Sequence, residues 1–322
     1  MTGRPGGASS GSPKVSWKES WDPRLYQIVA LSALLLAGLT GFGFEVPSSH
    51  VVVTLTSALA VQWLAPRLQW PSTRAAHDSP PSFEWRSALI SGLSLCLLLR
   101  ARHPAWMALA TLIAVGSKFA LRVPRASGTG YKHVLNPTNG AIVILLAAGA
   151  PVWVSPGQWG HHLPLVFAVA AFGALVVNRS ARGDVTLAFL AAWAALLFAR
   201  AEWVGQSWRA PIHQLENGSL VLFAFHMISD PKTTPDSRAG RIVFACLVAL
   251  GAATVQFVLF RTNGLLWSLA AFSLVVPWLD RALPGLVFEW SAPGTGATPV
   301  EVRHAETGAV PPVRAARPYR PA

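Results

Sequence analysis

The chain has 322 residues, of which only 12% are charged and 52% are hydrophobic, where a soluble domain carries about 25% charged residues. With a mean hydropathy of +0.42, it is not a disordered chain, a disulfide-rich secreted module or an ordinary cytosolic enzyme, and reads as an all-α polytopic membrane protein. The net charge of +12 has two readings. Clustered on a folded surface it would suggest nucleic acid; scattered over alternate loops it is a topogenic signal.

In chain order, residues 1–24 are rich in Gly, Ser and Pro and read as a disordered cytoplasmic arm. The apolar run Leu25–Phe44 is long enough to cross a bilayer core and reads as a retained helix rather than a cleaved signal. Further runs follow at Val51–Ala65, Ser87–Leu99, Trp106–Leu121 and Gly140–Val154. A second set lies at Leu163–Val177, Val185–Ala199, Ser219–Ile228, Ile242–Phe260 and Leu265–Leu279. The expectation is ten spans within a membrane domain of residues 25–281, followed by a disordered cytoplasmic tail, 282–322.

Ten spans put both termini on one side. On that topology twenty Lys and Arg fall on the terminal side, five on the other, and Lys118 within a span. Cations concentrate in cytoplasmic loops, so both termini are expected in the cytoplasm of a plasma (bacterial-type inner) membrane. No nucleic-acid partner is needed to explain the basicity; the first partner is the lipid bilayer.

The third and eighth runs are short and begin with small or turn-forming residues (RSALISGLSL and LENGSLVLF). They hold equivalent places if the chain is two five-helix halves, which an odd number of spans would orient oppositely. Matching interruptions in inverted halves point to a binding site near the midplane.

Polar groups inside the runs are costly in lipid and mark candidate contacts. Lys118 either snorkels to the interface or faces an internal cavity. His226 is either satisfied by a neighbouring helix or touches a ligand. Asp230, with Pro231, closes the eighth run. Asn136–Gly140 (NPTNG) combines turn formers with a helix start, whose free N–H groups suit an anion or a carbonyl. Cys96 and Cys246 sit in apolar runs as inert thiols. His161 and His162, being adjacent, do not share a helix face and make no metal site. The sequence has no phosphate-binding loop, dinucleotide fingerprint, H-E-x-x-H or G-x-S-x-G.

Four stretches resemble the RnfD/NqrB family, membrane subunits of Rnf and sodium-pumping NADH:quinone electron-transport complexes. They are SALISGLSLCLLL with the run to GSKFAL, HVLNPTNGAIVILL, FAFHMISDPKTTPDSRAGRIVFACLVAL and GLLWSLAAFSLVVPWLD. The Asp-Pro-x-Thr…Gly-Arg block is the most specific, and VSPGQWG looks closest to an UnbU-like branch associated with enediyne biosynthesis. The resemblance implies ten helices in two inverted halves, carrying flavin. The family's covalent FMN hangs on a Thr in an external loop after the fifth helix; here that stretch, SPGQWGHH, contains no Thr. A similar tetrad, Thr295–Thr298, stands in the tail without the upstream Asp of a flavin-transferase target. Covalent FMN on Thr298 is therefore not expected.

The leading expectation is a membrane electron-transport subunit, with non-covalent FMN or riboflavin, or a quinone, near the breaks of the third and eighth spans and the start of the fifth. The candidate contacts are Lys118, Asn136, Asn139, His226, Asp230 and Thr233. No hydride-donor site is visible, so partner redox subunits would supply the electrons, and the chain would be at most an electron-transferring part of an oxidoreductase. The alternatives are a small-solute channel or carrier, and a membrane scaffold for natural-product biosynthesis.

Overall fold

The computed structural model describes residues 22–41, 43–73, 83–125, 131–154 and 182–285. The helices of the first half are α1 (Pro23–Thr40), α2 (Ser48–Thr73), α3 (Trp85–Leu98), α4 (Pro104–Ala120) and α5 (Pro137–Ala147). Those of the second half are α6 (Gly183–Trp203), α7 (Arg209–Leu215), α8 (Gly218–Leu222), α9 (Arg238–Ala253), α10 (Gly264–Ser273) and α11 (Val276–Ala282). Wide π-helical turns extend α8 through Phe223–Met227 and α9 through Thr254–Val258.

The helix starts are written locally. Proline occupies the first turn of α1, α4 and α5, where its missing N–H costs nothing. Side chains of Asp22, His103, Asn136 and Ser237 accept from free N–H groups at the starts of α1, α4, α5 and α9.

In the first half α2 packs against α3 and α4, and α4 against α5. In the second half α6 packs against α9 and the Phe223–Met227 turn, and α9 against α10. The order of contacts is thus the same in both halves, with α5 and α10 meeting at the seam. Small residues permit the close approaches that bind helices in lipid. A Cβ on Gly92 of α3 would lie 3.1 Å from Leu55 and 3.4 Å from Ala58 of α2. One on Gly251 of α9 would lie 2.5 Å from Ser268 Oγ and 2.6 Å from the Phe272 ring of α10. Leu95, Leu97, Met107, Ile142, Phe189, Leu222 and Phe244 fill the interior.

Among the described residues, three helical stretches are long and apolar enough to cross a membrane: Ser48–Gln69, Gly183–Trp203 and Arg238–Val258. A fourth, Gly264–Ser273 with Val276–Ala282, is bent by 52°. Pro277 lies in the first turn of the second piece, and its missing N–H leaves the Ser273 carbonyl without its helical donor. The remaining apolar helices are shorter, so the described residues do not reach ten full-length spans. The expected run Leu163–Val177 lies outside them, as do residues 1–21 and 286–322.

The fifth run differs from expectation. Gly140–Val154 is helical only to Ala147: Gly149 takes a positive φ of 66°, Pro151 follows, and the chain becomes extended. Val152–Val154 (β4) pairs antiparallel with Leu99–Ala101 (β1) at the end of α3, in register Leu99↔Val154. A second ribbon, Arg122–Pro124 (β2) with Tyr131–His133 (β3), joins α4 to α5. Short ribbons satisfy backbone groups that shortened helices leave free.

Candidate functional site: a polar cavity between the interrupted helices

A cavity of about 590 Å³ lies where α3, the end of α4, the start of α5 and the Phe223–Met227 turn converge. That volume is in the range of small-molecule and cofactor sites. The third and eighth runs, short in the sequence, are the elements that open it. The Ser-rich face of α3 contributes Ser87, Ser91 and Ser94, and the wide turn contributes Phe225, His226 and Met227. A π turn inserts a residue into a helix and often marks a functional site; here the Ile228 N–H reaches back to the Phe223 carbonyl.

Four of the six candidate residues line this cavity: Lys118, Asn136, His226 and Asp230. Lys118 is only 6% exposed. Its Nζ donates to the Ser87 carbonyl at 2.8 Å and to Ser87 Oγ at 3.0 Å, so the ammonium is held inside rather than extended to the interface. Asn136 caps α5 with its Oδ1, while its Nδ2 donates to the Met227 carbonyl at 3.3 Å and reaches Asp230 Oδ2 at 3.5 Å. One side chain thereby ties the start of α5 to the eighth run. His226 is buried, and neither ring nitrogen has a hydrogen-bond partner.

Asp230 lies beyond the helical turn. Burial raises its carboxyl pKa, opposed by the Lys232 backbone N–H and the charges of Lys232, Lys118 and Arg182. The other two candidates sit beside the cavity rather than on it. Asn139 Nδ2 donates to the Leu266 carbonyl of α10 at 3.2 Å, and Thr233 Oγ1 donates to the Asp230 carbonyl at 3.3 Å. Thr298 lies outside the described residues.

The structure adds residues that sequence reading missed. Gln62 of α2 is buried and its Oε1 has no partner; as an amide inside the apolar run VTLTSALAVQWLA it carried a visible signal. His133 contributes an unpartnered Nδ1 from the end of β3. Burial, reinforced by Lys232, Lys118, Arg122 and Arg125, pushes its pKa down to about 3. Half-buried Arg24 and the exposed Arg122 and Lys232 also line the cavity, against the carboxylates of Glu84 and Asp230. Its charge therefore favours an electron-rich or anionic ligand.

Behind the cavity is a buried ionic cluster. Lys132 Nζ pairs with Asp280 and lies 3.2 Å from Asp236 Oδ1; Arg125 lies 3.9 Å from the same oxygen, and the Asp236 N–H donates to Asp280 at 2.8 Å. Arg241, the Arg of the Gly-Arg pair, grips Asp184 with Nε and Nη2 and donates to the Asp236 carbonyl at 2.6 Å. Among the described residues no group of three or more His, Cys, Asp or Glu is placed to hold a metal ion.

Apolar spans, exposed Leu36, Val52, Leu187 and Leu250 on their outer faces, and a polar cavity between short helices together define a helical membrane protein. Residues 148–288 match the model of the NQR2, RnfD, RnfE family. The chain is also 25% identical, over 279 residues, to an ion-translocating oxidoreductase complex subunit of Methanosarcina acetivorans; the match covers 80% of this chain and 88% of that protein. By these two matches the chain is similar to the RnfD/NqrB family of membrane subunits.

Proposed function

We propose that the protein is a membrane subunit of an ion-translocating electron-transfer system, and that its polar cavity holds a non-covalent redox ligand, a flavin or a quinone. The observation that carries this reading is the meeting of Lys118, Asn136, His226 and Asp230 around one ligand-sized space, with the His226 ring unpartnered. The name of the Methanosarcina relative supplies the class of complex. A unit running from about residue 25 to 281, in a plasma membrane with both termini cytoplasmic, agrees with the distribution of cations along the chain. The VSPGQWG loop favours an UnbU-like branch of the family.

The residues suit such a ligand. Lys118 supplies an ammonium held in place, Asn136 and Asp230 supply polar groups at the helix start, and His226 supplies a donor and an acceptor. A flavin bound there would accept and pass on one or two electrons. The chain's own part is to hold it, exclude water and present it to partner redox subunits.

The test is extraction. Protein purified in mild detergent is precipitated with acid and the supernatant chromatographed for flavins and quinones. A flavin or quinone near one per chain, lost in a Lys118→Met, His226→Phe variant that still elutes as a folded species, supports the reading. A preparation free of both, and binding neither when they are added, overturns it.

A further inference from the structure

We infer that an apolar groove between α9 and α10 binds one phospholipid, with an acyl chain lying in the groove and the lipid's phosphate held at Arg261. The groove shares no lining residue with the polar cavity, and the inference stands apart from the redox-ligand reading.

The groove has a volume of about 800 Å³. Leu250, Val255 and Leu259 line it from the α9 stretch, Trp267 and Phe272 from α10, and Leu146 from α5. The backbone makes its polar end. The π turn Thr254–Val258 widens the end of α9, with the Leu259 N–H reaching back to the Thr254 carbonyl at 3.0 Å. The chain then reverses through Phe260 and Asn263, both at positive φ, while the Arg261 N–H donates to the Val255 carbonyl at 3.0 Å. That reversal sets Arg261, Thr262 and Asn263 together at one end of the groove.

Depth and charge select the occupant. The apolar stretch Arg238–Val258 has its middle at Val248, so the groove begins near mid-span at Leu250 and ends where the span ends. Leu250 to Leu259 covers about 14 Å at the helical rise, close to half of a hydrocarbon core about 30 Å thick. One leaflet's acyl chain fits that length, whereas a partner's transmembrane helix would need the full depth. The rim residues Leu250 and Leu259 are exposed, so the groove opens toward the acyl region. Beyond its apolar walls, a chain seated there places ester and phosphate oxygens beside the Arg261 guanidinium, the Thr262 hydroxyl and the Asn263 amide, all of them donors. Among the described lining residues there is no carboxylate, which leaves the charge of Arg261 for a ligand. A neutral amphiphile such as a quinone brings nothing to answer it.

Native mass spectrometry tests the site. Full-length protein in mild detergent is exchanged into equimolar phosphatidylglycerol and phosphatidylcholine with identical acyl chains. Phosphatidylglycerol carries its phosphate charge unopposed. One retained lipid per chain is expected, with phosphatidylglycerol preferred about fivefold, the worth of one cation at a lipid headgroup. Arg261→Gln should bring that preference close to one, and Arg209→Gln, at an exposed Arg outside the groove, should leave it unchanged. Ala271→Trp, which fills the groove from α10, should remove the adduct. Elution as a single species checks folding, and if Ala271→Trp does not fold, the two Arg variants decide. A chain that retains no lipid, a preference that survives Arg261→Gln, displacement of the lipid by decylubiquinone, or a lipid-free dimer each overturns the inference.

Discussion

Lys132 and Asp280, 148 residues apart in sequence, form a buried ion pair. Lys132 comes from the ribbon between α4 and α5, and Asp280 from α11, so the pair joins the two halves of the chain. Asp236, which follows the Asp-Pro-x-Thr segment, shares the same ammonium. Removing one partner of such a cluster leaves uncompensated charge in a dry interior, which costs about 3–5 kcal/mol. Lys132→Met, which leaves Asp280 without its cation and Asp236 facing Arg125 alone at 3.9 Å, should therefore lower the thermal midpoint in detergent by more than Asp280→Asn, which leaves the cation one carboxylate. Equal midpoints would show that the cluster does not hold the halves together.

Arg241 and Asp184 make the corresponding tie between α6 and α9, with Nε 2.8 Å from one carboxylate oxygen and 2.9 Å from the other. A planar guanidinium can hold both oxygens and also reach the Asp236 carbonyl; an ammonium cannot reproduce that geometry. Arg241→Lys should lose about 1–3 kcal/mol of stability despite conserving charge, measured as a fall in thermal midpoint that Asp184→Asn does not deepen further.

Gly251 reports on helix packing. A methyl group there meets Ser268 Oγ, which donates to the Val248 carbonyl, and the ring of Phe272. Overpacking of this kind costs about 1–3 kcal/mol, so Gly251→Ala should destabilise the protein. At Gly116, where an added Cβ meets nothing within 4 Å, alanine should be neutral or stabilising, since it also favours the helix. Thermal midpoints of the two variants, compared side by side, check both signs.

His133 gives a pH dependence whose sign can be worked out. Its folded pKa is depressed to about 3 from the ordinary imidazole value of 6.5, so the unfolded chain binds the extra proton first. Stability is complete above about pH 6.5 and is lost progressively as pH falls toward 3. Each pH unit in that window is worth about 1.4 kcal/mol. The thermal midpoint should drop between pH 7.5 and 5.5, and His133→Leu should flatten the drop. Asp230, whose pKa is raised by burial, acts in the opposite sense: its contribution is greatest at low pH and falls as pH rises through its folded value. An unchanged slope in the His133 variant would assign the pH response elsewhere.

Much of the architecture was legible because apolar runs and helix caps are local signals. The Asn136–Pro137 start of α5 was visible as a turn former beside a proline, and the shortness of the third and eighth runs pointed toward the space that α3 and the Phe223–Met227 turn enclose. Other features depend on long-range pairing. Val152–Val154 is as apolar as the helix before it, and only the break at Gly149 and Pro151, with the partner strand Leu99–Ala101, makes it extended. Residue type also left the cavity wall undecided. Asn139 and Thr233 were as eligible as Asn136 and Asp230, yet their side chains turn to the carbonyls of Leu266 and Asp230. Gln62 and His133 reach the cavity through packing of α2 and the β2–β3 ribbon, which no short window of sequence encodes.

The most direct measurement is a cryo-electron microscopy map of the full-length protein purified with saturating riboflavin. The account predicts planar density between α3 and the Phe223–Met227 turn, within hydrogen-bonding distance of His226 and beside Lys118. Density in that space filled only by side chains or water, with riboflavin bound elsewhere or absent, would contradict it.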